Sequence, residues 1–301
     1  MAQTFDPAHV MLSDTIGKEI ADEGFTQAFL ERFVQTSLLM KLGSPVNMAS
    51  RMIRTSAGLG ELSNAYFVGE GEKIGTAGFE ATDYVLEARK IAVILPVTEE
   101  FLTYTWARYF EEVVPAIVDK FNKMIDGATF LGLHGNPFGA NILASATAAG
   151  NVVEGPLDRA KLIELEAVTE TEPTAIVGHR SVNTTVRGIY DSTTNQYVYD
   201  KGTNSIDGIA YHELKISKGE TYPAGTLFAG DFNGLKYGVP NGTQLRLKVA
   251  DQATLSKVQN TAPDTGDVHL FEQDMQALRA VFEIAVAIPV NEAFAVVQPG
   301  E

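Results

Sequence analysis

The chain of 301 residues is 45% hydrophobic with mean hydropathy near zero, enough to bury a sizeable core as one or two compact units. It carries 38 acidic against 23 basic residues, a formal charge of −15, with no basic run longer than a pair such as Arg89-Lys90; tight DNA binding needs clustered cations, so this balance argues against it. Cysteine is absent, which excludes disulfides, thiolate nucleophiles and sulfur-ligated zinc.

The start, Met1 to Ile20, contains Asp6, His9, Asp14 and Glu19 and is not a secretory signal. No stretch approaches the roughly 18 apolar residues of a membrane helix, so no membrane partner and a cytoplasmic product are expected. Phe25, Phe29 and Phe33 recur every four residues as a stripe on one helix face. So short a piece cannot bury its stripe alone, and it lies against its own domain or against a neighbouring copy.

Residues 58–95 predict two extended limbs, Leu62 to Val68 and Phe79 to Leu95, joined by a turn with four glycines in the ten residues 69–78. Limbs of about twelve residues would project on the order of 40 Å, and an isolated two-stranded hairpin is marginal in water. Tyr66 and Phe67 fall on opposite faces, so both faces carry aromatic surface for a neighbouring subunit to cover. Pro96 is expected to close the hairpin, and Thr98 before Glu99-Glu100 to cap a helix. Along that helix Phe110, Val113, Val114, Ile117, Phe121, Met124, Ile125 and Ala128 trace one apolar face. Asp119, Lys120, Asn122, Lys123 and Asp126 occupy much of the remainder. From about Thr105 to Leu131 the helix would run about 40 Å, with Pro115 marking a kink or the true first turn.

After residues 132–139 the pattern turns to mixed α/β. A helix is expected from Leu157 to Val168 on Leu162, Ile163 and Leu165, a buried strand at 174–178, and a helix capped by Ser181 and ending near Gly188. Asp191 to Ile206 reads as a loop. Strands follow at Thr226 to Phe228 and at Gln244 to Val249, where Leu245, Leu247 and Val249 alternate with Gln244, Arg246 and Lys248. From Gln276 to Ile288, Leu278, Ala280, Phe282, Ile284, Val286 and Ile288 share one strand face, with Arg279 and Glu283 opposite. Phe271 to Ala280 also suits a helix by propensity, and Pro289 ends the segment.

Four blocks in this order resemble the HK97-type major capsid family of tailed bacteriophages: "AYFVGEGEKIGTAGFEATDYVLEARKIAVILPVTEEFL" (65–102), "MIDGATFLGLHGNPFGANIL" (124–143), "LFAGDFNGLKYGV" (227–239) and "DMQALRAVFEIAVAIPVNEAFAVV" (274–297). The resemblance spans about Gln35 to Val297. It implies an α+β HK97 capsid fold: an N-terminal arm (1–45), an extended-loop hairpin (58–95), a peripheral domain with a long spine helix and sheet (46–57, 96–135 and 251–288), and an axial α/β domain (136–250 and 289–301). It further implies a structural protein, not an enzyme, assembling from pentamers and hexamers into an icosahedral shell around double-stranded phage DNA held without sequence-specific binding. The protein would be assembled in the host cytoplasm and reside in the virion. Tyr66, Phe67, Glu70, Lys73 and Phe79 of the loop and Phe25 and Phe29 of the arm become expected subunit contacts.

Some relatives carry a long cleaved N-terminal scaffolding segment. Here the fold-like pattern begins by about residue 25, so the expectation is a separate scaffolding protein or a chain already processed, and Met1 favours the former; portal and decoration proteins complete the expected partners. Some relatives also join subunits by a Lys to Asn isopeptide bond. Lys73 lies in the corresponding loop, but no partner Asn or assisting Glu matches by motif, and a plain surface lysine is favoured.

Rival chemistry finds little support. The five histidines, His9, His134, His179, His212 and His269, lack metal-ligand spacing, and residues 69–78 match neither a P-loop nor a dinucleotide fingerprint, so no cofactor is expected. The acid pairs Glu99-Glu100, Glu111-Glu112 and Glu164 with Glu166 read as solvated helix faces. The alternatives are an encapsulin-like nanocompartment shell, which would share the fold and differ in cargo, and a soluble hydrolase with an acidic cleft, whose nucleophile and base the sequence does not display.

Overall fold

The computed structural model describes residues 36–62, 67–70, 73, 76, 79–169, 171–191, 196–217, 219–220, 223, 225–240, 246–255 and 268–298, without the side chains at 57–62, 79–82, 99–114, 247 and 249. It is an α+β chain that divides into two compact units, one holding 36–89, 120–242 and 283 onward, the other holding 90–119 and 243–282.

The first unit is built on a seven-stranded sheet in the order Val152–Glu154, Phe294–Gln298, Leu227–Gly230, Ala175–His179, Ile209–Leu214, Ser205–Ile206 and Tyr199–Asp200. The central strands are buried on both faces, which is why they read as continuous apolar runs. Val182 and Val186 of the helix Arg180–Gly188 and Leu162 and Leu165 of the helix Arg159–Val168 pack into the core with Ile176, Leu227, Ala295 and Val297. Phe130, Phe228, Phe232 and Phe294 form a second run of contacts, with ring centroids 5.7 Å apart for Phe130 and Phe228, 5.9 Å for Phe130 and Phe232, and 5.4 Å for Phe232 and Phe294.

Several expectations shift. The strand at 175–179 and that at 227–230 stand within a residue or two of their expected places. Ile163, expected inside, is 52% exposed, because with Leu162 and Leu165 buried it is turned about 100° away from the former. The helix after the first buried strand starts at Arg180 and is capped by His179, whose Nδ1 accepts the Ser181 N–H at 3.2 Å, so Ser181 lies inside the helix. The supposed loop 191–206 contains short paired strands. Its order comes from a tight turn at Asp207-Gly208, both at positive φ (49° and 89°), which folds Ser205–Ile206 onto Ile209–Leu214. Asp-Gly is the sequence signal of such a turn.

The turn at 132–139 is real and strained for ordinary residues, with Gly132, His134, Gly135, Asn136 and Gly139 all at positive φ. Space is short at Gly132 as well: a Cβ there would stand 2.6 Å from Asn141 Nδ2, which would have to move. Asn141 in turn accepts the Ala144 N–H at 2.8 Å and caps the helix Ile142–Ala149.

In the same unit, Ser44–Met48 runs parallel to Lys236–Pro240, which pairs antiparallel with the end of the strand Met275–Ala287. That long strand is extended from Met275, with Phe271 to Asp274 in a turn, so the helical option for 271–280 fails. Both of its faces are buried over most of its length, not the one face expected.

In the second unit, Arg246–Ala250 pairs antiparallel with Ala277–Val281, and Thr254–Leu255 with Val268–His269. The strand Arg89–Thr98 contains Pro96, so Pro96 does not close the hairpin. A helix follows at once, Glu99–Leu131, 33 residues long and hence about 50 Å, longer than expected because it starts at Glu99. Pro115 lies well inside it, not at its first turn.

Candidate assembly surfaces

The hairpin consists of Met52–Leu62 and Phe79–Glu87, paired from Met52 with Glu87 to Leu62 with Phe79, and interrupted by register shifts between Ser56 and Leu59 and between Leu59 and Leu62. The first limb thus starts ten residues earlier than expected and stops at Leu62; the second breaks at Ala88. The break has a local cause. Ala88 N donates to Arg51 O at 2.9 Å, and Leu86 and Ala88 are buried with Met48, Ala285 and Ala287, so the base of the hairpin is rooted in the core. Arg51 pairs with Glu283 at 3.5 Å, Arg54 with Asp83 at 3.9 Å, and Arg89 with Glu87 at 3.0 Å. Beyond the base the ribbon is, among the described residues, a sheet of two strands, and eleven residues of strand extend about 35 Å.

Of the expected contact residues, Phe67 is fully exposed, and Glu70 and Lys73 are exposed and outside any strand. Phe79 begins the second strand, with its side chain outside the described set. Tyr66, Phe25 and Phe29 lie outside the described residues. Met52, Val68 and Val85 add exposed apolar surface to the hairpin. A chain does not leave an unshielded Phe and several aliphatic side chains on a two-stranded ribbon for its own stability, since none of them gains anything from burial there.

A second feature lies where residues 1–35 join the body, and the sequence reading missed it. Asp126 and Asn122, expected off the apolar face of the long helix, are buried. Asp126 accepts the Leu38 N–H through Oδ2 at 3.2 Å, and the Leu39 N–H and Ser37 hydroxyl through Oδ1 at 3.2 and 3.3 Å. Asn122 Nδ2 donates to Thr36 Oγ1 at 2.5 Å. These bonds satisfy the free N–H groups that start the short helix Leu38–Leu42. Burial pushes the Asp126 carboxyl up to about 7 against the opposing pull of the three hydrogen bonds. The available signal was the series Val118, Asn122, Asp126 and Thr129, a second helix face at steps of four, four and three whose ends and middle are all buried.

Among the described residues the other titratable groups do not converge on a reaction site. His134 Nδ1 stands 3.7 Å from Glu220, His212 Nδ1 is 3.4 Å from Lys41 Nζ, and His269 Nδ1 is 3.0 Å from the Thr254 hydroxyl; His9 lies outside the described residues. Glu164 is exposed and pairs with Lys161 at 2.8 Å. Glu166 is half-buried, not solvated as expected, and its carboxyl is raised by burial and by Asp207, against the pull of Arg159. The side chains of Glu99, Glu100, Glu111 and Glu112 lie outside the described set. Among the described residues no group of three or more His, Asp or Glu is placed to hold a metal ion, and no helix is long and apolar enough to cross a membrane.

The chain is 35% identical over 304 aligned positions to the major capsid protein of Staphylococcus phage 80alpha, covering 99% of this chain and 90% of that protein. Its fold is similar to solved structures from Microbacterium phage Oxtober96 (TM-score 0.68, 21% identity, 87% of this chain and 91% of that one) and Mycobacterium phage Adephagia (TM-score 0.68, 23% identity, 88% and 90%). A structure described as the capsid of an empty GTA particle computed with C5 symmetry matches with a TM-score of 0.63 at 12% identity, over 88% of this chain and 90% of that one. The model of the phage capsid family matches residues 17–298, and the chain belongs to that family of HK97-type shell proteins.

Proposed function

We propose that this chain is the major capsid protein of a tailed phage, assembling as pentamers and hexamers into an icosahedral shell that encloses double-stranded DNA. The observation that carries the reading is the hairpin: a ribbon of about 35 Å, rooted in the core at Leu86 and Ala88, with exposed apolar side chains that only another molecule can cover. Repetition by symmetry gives every copy the same cover.

In this reading residues 1–45 are the arm, the hairpin is the extended loop, and Glu99–Leu131 is the spine helix of a peripheral domain that includes 251–288. The seven-stranded sheet belongs to the axial domain, 136–250 and 289–301. Phe67, Glu70, Lys73, Tyr66, Phe79, Phe25 and Phe29 are subunit contacts. The net charge of −15 suits a container that holds DNA without gripping it. Assembly takes place in the host cytoplasm with a separate scaffolding protein, and portal and decoration proteins complete the particle.

Electron microscopy of the full chain, expressed alone and with candidate scaffolding proteins, tests this. Closed shells of uniform diameter are expected. Monomers under every condition would sink the reading.

A further inference from the structure

The five-residue helix Leu38–Leu42, which carries the chain into the body, is held at its two ends by two titratable side chains. At its start Asp126 accepts the Leu38 and Leu39 N–H groups and the Ser37 hydroxyl. Toward its end Lys41 Nζ stands 3.4 Å from Nδ1 of His212, on the strand Ile209–Leu214 of the seven-stranded sheet. An ammonium has donors and no acceptor, so this contact is a hydrogen bond only while the ring nitrogen is bare. A proton there sets two cations against each other. Lys41 is exposed but His212 is half-buried, where such a pair is poorly screened.

The charged surroundings of both groups are simple. The strand Ala175–His179 beside His212 sets Val177 opposite it. On its own strand Ala210 and Leu214 share its face by the period of two, while Glu213 is on the other face and accepts Asn183 Nδ2 at 3.0 Å. Asp126 has Asn122 and Thr129, both uncharged, as its neighbours one turn away on the long helix. The single charge on the short helix is Lys41.

The two ends therefore answer pH in opposite senses. Burial, and after it the Lys41 ammonium, hold the His212 imidazole below the ordinary histidine range. The stability of that end is present above about pH 6.5 and is lost as the pH falls through the lowered folded value. Burial of Asp126 does the reverse, with stability full below about pH 4 and lost as the pH rises through about 7. We propose that the helix Leu38–Leu42 is a two-ended pH joint: acid frees its Lys41 end from His212 while Asp126 keeps its start, and alkali frees the start while the Lys41 end holds. Leu38, Leu39 and Met40 are buried, so the helix pivots on one end at a time and does not detach. The joint lies within one chain and does not rest on the shell reading.

Hydrogen exchange in the full-length free subunit, expressed as protection relative to the unstructured rate at each pH, tests this. The Gly43 N–H, bonded to Leu39 O at 2.9 Å, and the Ser44 N–H, bonded to Leu235 O at 2.8 Å, report the Lys41 end; Leu38 and Leu39 report the start. From about pH 7.5 down to about pH 5, protection at Gly43 and Ser44 is expected to fall about tenfold while Leu38 and Leu39 keep theirs. From about pH 6 up to about pH 8.5 the order reverses. His212→Gln keeps an acceptor that does not titrate, and it is expected to abolish the acid loss and leave the alkaline one. An acid loss that persists in His212→Gln, or a loss at both ends together at one pH, would overturn the proposal. Should that variant not fold, the titration of the His212 imidazole decides: Lys41→Met is expected to move it to higher pH, and an unmoved titration overturns the proposal equally. All of these outcomes leave the shell reading untouched, because none of them measures assembly.

Discussion

Asp126, near the C-terminal end of the long helix, accepts the backbone N–H of Leu39 at 3.2 Å, across 87 residues of sequence. With the Leu38 and Ser37 bonds this makes one buried carboxylate the tie between that helix and the segment where residues 1–35 join the body. Replacing Asp126 with Ala leaves two buried N–H groups without an acceptor, each costing about 1–3 kcal/mol. Urea unfolding of the free subunit is expected to show a loss of about 2–6 kcal/mol, and amide exchange at Leu38 and Leu39 should accelerate more than exchange in the seven-stranded sheet. Equal acceleration everywhere would contradict a local tie.

The same carboxyl sets a pH dependence. Burial raises its folded pKa to about 7 from the ordinary aspartate value of 3.8, so the folded state holds the proton more tightly than the unfolded one. The stability this contributes is fully present below about pH 4 and is lost as the pH rises through 7. Asp126→Asn, which cannot titrate, is expected to flatten this component between pH 4 and 7. Parallel unfolding series on parent and variant check it, and identical slopes would rule Asp126 out as the source.

Gly132 and Asn141 form a coupled pair at the end of the long helix. Gly132→Ala meets both a φ of +67° and a Cβ 2.6 Å from the Asn141 amide, and a loss of about 1–3 kcal/mol is expected. Asn141→Ala removes a helix cap and costs about 1 kcal/mol. Because the first change displaces the second residue, the double variant should lose less than the sum of the two. Strict additivity in thermal melts would show that the two do not interact.

Phe67→Ser tests the hairpin directly. The side chain is fully exposed, so the free subunit should change by less than about 0.5 kcal/mol. Shell yield, counted by sedimentation, should drop sharply. A normal yield of shells would remove Phe67 from the list of contacts.

Local pattern revealed the periodic elements well. The strand at Ala175–His179 and the apolar stripe at Ile117, Phe121, Ile125 and Ala128 stand as expected because each answers to a period its own residues carry. Boundaries were less legible. The hairpin limbs begin and end where Ala88 and Arg51 bond at the base, a contact 37 residues apart, and the supposed loop at 191–206 is ordered by the Asp207-Gly208 turn and by pairing along a sheet edge.

From the sequence alone came the two-limbed ribbon and the acidic charge, since composition and periodicity are properties of neighbours along the chain, while the family and its α+β fold came from the resemblance of four blocks of sequence. Tertiary structure alone decided that Asp126 is an interior acceptor and not a solvated acid, and that Lys248 confronts Arg279. Both depend on which distant segment the backbone brings alongside, and the charge of a side chain does not say what it will face.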